Sequence, residues 1–132
     1  MNKQIAVYGT LRKGETNHHV LNKSLFLKTI RLKGFKMYGT NKFPTVIKGS
    51  ETDEITVEIY QVVNPKILKA LDFLEGFDRT NPSSLDNFYT IQELKLNEEN
   101  EPIEIYTFDH NPEMVHQIGP LIHSGDWCSR KR

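Results

Sequence analysis

Between Ile55 and Gly76 the hydrophobic pattern changes period once, and the change falls on Asn64-Pro65. In ITVEIYQVV, residues 55–63, β-branched side chains dominate; Val57 and Ile59 take one face and Glu58 and Tyr60 the other, the alternation of a strand. Asn64 then supplies a cap and Pro65 the pre-set φ of a first helical residue, so a helix is predicted through PKILKALDFLE. Gly76 ends it, because glycine takes the left-handed C′ position without strain. A chain built around this unit must hold a sheet and a helix together.

The remaining segments add mostly strands. Ile5 and Val7 alternate with polar or small neighbours and predict a first strand ending at Tyr8-Gly9. Thr16 to Lys23 reads as a short helix with Thr16 or Asn17 as N-cap and Val20 and Leu21 turned inward. Residues 25–38 read as one long strand with a bulge or bend at Gly34, and Pro44 to Ile47 as a short edge strand. The polar stretch FDRTNPSSLDN, residues 77–87, is a loop long enough to be a lid or selectivity element. Strands follow at Phe88 to Leu96 and Ile103 to Phe108 around the turn NEENEP, then a short helix from Pro112 to Ile118 and a basic end, SRKR, expected to be solvated.

Six or so strands with two or three short helices, and no regular alternation of strand with long helix, argue against a doubly wound parallel sheet. The expectation is an α+β fold with a mixed or mostly antiparallel curved sheet; periodicity leaves its closure open. The length, 132 residues, suits a single domain over 1–132 that needs no disulfide or metal staple. Seventeen basic and 17 acidic residues balance, so no charged field draws nucleic acid or a membrane surface, and the expected partner is small. One cysteine, Cys128, excludes an internal disulfide framework and points to a reducing compartment, the cytoplasm being the simplest. No apolar run is long enough to span a bilayer, and MNKQIAVYGT lacks the apolar core of a signal peptide.

Several residues invite chemistry. Gly9 and Gly14 have the spacing of the glycines in a phosphate loop and follow a strand, but Glu15 stands where the phosphate-binding lysine belongs; a tight turn is the alternative. Glu75 is more informative. At about 100° per residue it falls among Ile67, Leu68, Ala70, Leu71 and Leu74 on the apolar stripe, with Asp72 on the flank. Lost hydration and the negative end of the helix dipole would both raise its pKa, as a general acid/base near neutrality requires; the other reading is a helix-end glutamate bent back to solvent. Glu58 could line a cavity or simply face water. The five histidines show no zinc-ligand spacing, so no metal is expected. Cys128 has no basic activator and reads as an inert thiol, and Asp126-Trp127 as a packing anchor or an aromatic pocket wall.

Taken in order, VYGTLRKGETNHHVL, VEIY followed by ALDFLEGF, Tyr89 and the late GDW resemble the gamma-glutamylcyclotransferase-like superfamily, especially its gamma-glutamylamine cyclotransferase branch. The resemblance spans most of the chain, and its first motif is the most specific. It implies a small β-barrel with flanking helices. It implies too that Tyr8, Gly9, Thr10 and Leu11 hold the glutamyl moiety, with Tyr89 also at the substrate, and that Glu75 carries the proton transfers. The implied reaction is attack of a gamma-glutamyl compound's own α-amine on its γ-carbonyl, giving 5-oxoproline and a free amine without any cofactor. Two departures stand out: Thr90 follows Tyr89 where relatives often have arginine, and the loop before Tyr89 is longer than in amine-cleaving relatives. The natural amine therefore stays open, a larger gamma-glutamyl-tagged molecule included. A non-catalytic protein binding a small carboxylate or a protein partner on the same fold is the competing expectation.

Overall fold

The computed structural model describes residues 3–96, 101–109 and 112–131. His110, most of the expected NEENEP turn and the side chains of the basic end after Ser129 lie outside the described residues. The described residues form seven strands: β1 (Lys3–Val7), β2 (Leu25–Lys33), β3 (Phe35–Gly39), β4 (Pro44–Lys48), β5 (Glu54–Val62), β6 (Thr90–Leu94) and β7 (Ile103–Thr107). One α-helix, α1 (Pro65–Leu74), follows β5, and short 3-10 turns cover His18–Leu21, Pro112–Gln117 and Trp127–Lys131.

Five strands form a mixed sheet in the order β2-β5-β1-β7-β6, and β3 and β4 pair separately as a ribbon. Only β1 and β7 run parallel; the other pairs are antiparallel. The α+β class is as expected, but the barrel implied by the resemblance is not confirmed, because the sheet does not close among the described residues. The Phe108 amide, just beyond β7, donates to the Val46 carbonyl of the ribbon at 2.9 Å. The long strand expected over 25–38 is two strands. Gly34 adopts φ +95° and turns the chain from the sheet into the ribbon, while the irregularity within β2 falls between Phe26 and Lys28.

Both faces of the sheet are covered, which explains why β5 is buried almost throughout. Ile5, Val7, Tyr60 and Val62 pack with Leu68 and Leu71 of α1, while Ala6, Val57, Ile59 and Ile105 pack with Met37 and Val46 of the ribbon and with Trp127. Each such aliphatic side chain contributes about 1.5–3 kcal/mol of burial, so the ribbon and α1 are fastened to opposite sides of β1 by ordinary core packing.

The helix begins as its sequence requires. The Asn64 side chain accepts from the Lys66 amide at 2.9 Å, Pro65 takes the first position, and Gly76 turns out at φ +63°. The expected helix over 16–23 shrinks to a 3-10 turn. Asn17 precedes it but spends its side-chain amide on Thr10 Oγ1 at 2.9 Å instead of capping, so there is little to extend the turn. The helix expected at Pro112 to Ile118 is likewise a 3-10 segment.

Candidate active site

β1 ends at Val7, and the next residues leave the sheet as a turn pinned from below. The Arg12 amide donates to the Gly9 carbonyl at 3.0 Å and the Asn17 amide to the Thr10 carbonyl at 2.8 Å. Beneath, Glu58 accepts from Arg12 Nε, from the Lys13 amide and from the Tyr60 hydroxyl at 2.8–2.9 Å, and Arg12 Nη1 reaches Asp126 Oδ1 at 2.7 Å. Burial alone would raise the Glu58 pKa; the three donors outweigh it, and the carboxyl is held below its ordinary value. Glu58 thus neither lines the cavity nor meets water, as the sequence had allowed. It fastens the turn.

With the turn fixed, the amides of Gly9, Thr10 and Leu11 find no acceptor among the described residues, and all three residues line a cavity of about 360 Å³. Gly9 has a steric reason to be glycine: a Cβ there would stand 2.6 Å from Pro44 Cγ. Pro44 thus packs against Gly9 where the turn forms the wall of the cavity.

Glu75 lines the same cavity. It is the last residue of the α1 cap, with its amide bonded to the Leu71 carbonyl at 3.0 Å. Its own carbonyl and that of Gly76 accept from the Tyr89 and Phe88 amides at 3.3 and 2.8 Å, so the segment entering β6 is stapled to the helix end. As a residue Glu75 is half-buried, yet its carboxyl is withdrawn from bulk water and accepts no hydrogen bond among the described residues. That burial pushes its pKa up to about 7. The solvent-facing alternative for Glu75 is therefore not what the molecule adopts.

Three tyrosines stand near this carboxyl. Tyr8 donates to the Tyr106 carbonyl at 2.8 Å, Tyr89 to the Pro44 carbonyl at 3.2 Å and Tyr106 to Asp72 Oδ1 at 2.6 Å. Burial first, and the charge of Glu75 among the lesser causes, raises all three phenols, which keeps them protonated donors. Asp72, on the flank of the apolar stripe, is covered as well. It is buried, held by both ends of the Arg79 guanidinium, which also grips Glu104 from β7. This ties the base of the loop 77–87 down beside Glu75.

Every residue singled out for the site, Glu75, Tyr8, Gly9, Thr10, Leu11 and Tyr89, lines the one cavity. Sequence reasoning missed Asn17, Lys42, Phe43, Pro44, Phe88 and Tyr106, which line it too. Tyr106 could have been found from the alternation of β7; the hairpin residues carry no local signal, since a different sheet brings them in. Trp127 is elsewhere: its indole donates to the Thr40 carbonyl at 2.8 Å and its ring is in the core, so it is the packing anchor. His18 Nδ1 lies 2.9 Å from the Leu11 carbonyl, and among the described residues no cluster of His, Cys, Asp and Glu is placed to hold a metal ion. Burial pushes the Cys128 thiol up to about 11, as suits an inert thiol. Among the described residues no helix is long and apolar enough to cross a membrane.

Comparison with known proteins agrees with this architecture. A Vibrio cholerae protein provisionally named a gamma-glutamylcyclotransferase is 28% identical over 98% of this chain and 99% of its own. A Pyrococcus horikoshii protein with the same provisional name is 32% identical over 69% of this chain and 67% of its own. Among solved structures, an uncharacterised Pyrococcus horikoshii protein superposes with a TM-score of 0.71 at 24% identity, covering 98% of this chain and 92% of that one. A mouse AIG2-like protein superposes at 0.58 with 24% identity, covering 92% and 86%. These two structural likenesses speak for the fold. The family model described as gamma-glutamyl cyclotransferase, AIG2-like, matches residues 5–129, and to that family the chain belongs.

Proposed function

We propose that the protein is a cyclotransferase that cleaves a gamma-glutamyl amine or amide by intramolecular attack, releasing 5-oxoproline. The observation that carries this reading is that a buried, unpartnered glutamate lines the same cavity as turn residues whose amides are free among the described residues. Because nucleophile and carbonyl belong to one molecule, the protein has chiefly to fold the substrate into its ring-closing conformer. The free α-amine attacks the γ-carbonyl carbon, a C–N bond forms, and the amine's proton passes to Glu75. The amides of Gly9, Thr10 and Leu11 are the available donors for the oxyanion or the substrate carboxylate. The bond to the leaving nitrogen then breaks as Glu75 returns the proton there, so one carboxyl serves as base and then acid. Neither a nucleophilic serine or cysteine nor a cofactor is needed. A small metabolite as substrate and a cytoplasmic setting fit the balanced charge and single free thiol.

The test is release of 5-oxoproline from gamma-glutamyl-epsilon-lysine, gamma-glutamyl dipeptides and glutathione. Product from at least one is expected. A flat panel with calorimetric binding intact would instead identify a carboxylate-binding protein on the same fold.

A further inference from the structure

The Glu75 cavity does not end at its rim. Lys42, Phe43 and Phe88 line it and also line a second, open groove of about 690 Å³ whose further wall includes Phe108, Met114 and Ile118. The two depressions thus form one trough with contrasting halves. On the first side stand turn amides, phenols and a carboxyl; on the second the walls are mainly aromatic and aliphatic. Phe43 and Phe88 are 39% and 45% exposed, large apolar faces left uncovered next to the site. Lys42 is exposed at the border and makes no ion pair among the described residues.

We infer that the groove receives the leaving half of the substrate, and that this half is an amino acid with a bulky apolar side chain. The inference rests on the cyclotransferase reading above. With the glutamyl group on the Glu75 side, the scissile nitrogen lies toward the rim. In a gamma-glutamyl amino acid the carboxylate is one carbon from that nitrogen, which brings it to the border where Lys42 stands. The side chain on the same carbon then extends over Phe43 and Phe88 toward Met114. Lys42 is the specificity residue for the carboxylate, and the groove selects for apolar bulk. An amine with a cationic far end would gain nothing from these walls and would meet Lys42 as a like charge.

Three compounds test this: gamma-glutamyl-phenylalanine, gamma-glutamyl-glycine and gamma-glutamyl-phenethylamine, which keeps the ring and lacks the carboxylate. For the wild type, kcat/KM should be about tenfold or more higher for the phenylalanine compound than for the glycine compound, the usual scale of an occupied apolar subsite. Lys42→Met should bring the phenylalanine compound down to the level of the phenethylamine compound, and Met114→Glu should narrow the gap between phenylalanine and glycine. Calorimetry on Glu75→Gln, in which turnover is suppressed, should show the same order of affinities. Equal kcat/KM for the phenylalanine and glycine compounds, with 5-oxoproline formed from both, overturns the groove assignment and leaves the reaction standing. An undiminished advantage of phenylalanine over phenethylamine in Lys42→Met overturns the role of Lys42. No 5-oxoproline from any of the three overturns the reaction itself, and the leaving-group role with it.

Discussion

Glu58 and Glu75 are both withdrawn from bulk water at the same end of the sheet, and they are held in opposite ways. Glu58 accepts from a guanidinium, a backbone amide and a phenol, and its pKa falls. Glu75 accepts from nothing among the described residues, and its pKa rises to about 7. A buried carboxylate whose lone pairs are engaged by donors is a rivet; one whose lone pairs meet no donor is available to take a proton from something else. The same side chain is tied into the structure in one place and left open to a proton in the other, and donors within reach decide which.

The sharpest way to break this contrast is Glu75→Gln, which keeps shape and removes the titrating group. Turnover should fall on the order of a hundredfold or more, the scale for loss of a general base, with circular dichroism unchanged. A wild-type rate in the variant ends the catalytic role of Glu75. Glu58→Ala should act on stability instead: removing one partner of a buried network leaves Arg12 and Tyr60 short of an acceptor, and the urea midpoint should report a loss of about 3 kcal/mol or more.

The two glutamates should also pull stability in opposite directions with pH. Glu75 binds its proton more tightly folded, at about 7, than in the unfolded chain, so its contribution is full at acid pH and lost as pH rises through 7. Glu58, with its lowered pKa, contributes above the ordinary carboxylate range and loses that contribution as pH falls through its folded value. Urea midpoints of wild type and Glu75→Gln should therefore diverge in the variant's favour between about pH 4.5 and about pH 8 and stay parallel above. Over the same range wild-type kcat/KM should rise to a plateau, since attack needs the ionised base.

Smaller effects are expected at the walls. Gly9→Ala must move Pro44 or the turn, at a cost of about 1–3 kcal/mol, with KM for a gamma-glutamyl substrate rising as the cavity reshapes. Tyr106→Phe removes one donor from Asp72, which Arg79 still holds, and should cost about 1 kcal/mol in the urea midpoint with little change in rate.

How much of this the residues announced depends on the range of the forces involved. The unit from β5 through α1 to Gly76 was legible because alternation, an Asn-Pro cap and a terminal glycine act within a few residues. The same periodicity put Glu75 on the apolar stripe but left open whether its side chain bends back to solvent, because a helix end frays. The burial of Glu58 was not legible, because a strand's pattern does not say whether its polar face will be covered, and here the turn of residues 8–21 covers it. The pairing of Asp72 was not legible for the same reason: its partner Arg79 comes from a loop without periodicity. Lys42 and Phe43 reach the site only through the ribbon, whose separation from β2 at Gly34 was read as a bend within one strand.

The backbone staple between Gly76 and Phe88 has a consequence for the family's diversification. Because the helix end and the start of β6 are clipped together at 2.8 and 3.3 Å, the chain between them forms an excursion whose two feet are fixed. Its tip, from Thr80 to Asp86, is largely exposed and can be lengthened, shortened or rewritten over evolutionary time without shifting the acid below it. Such an arrangement separates a surface segment that is free to vary from the fixed helix end beneath it.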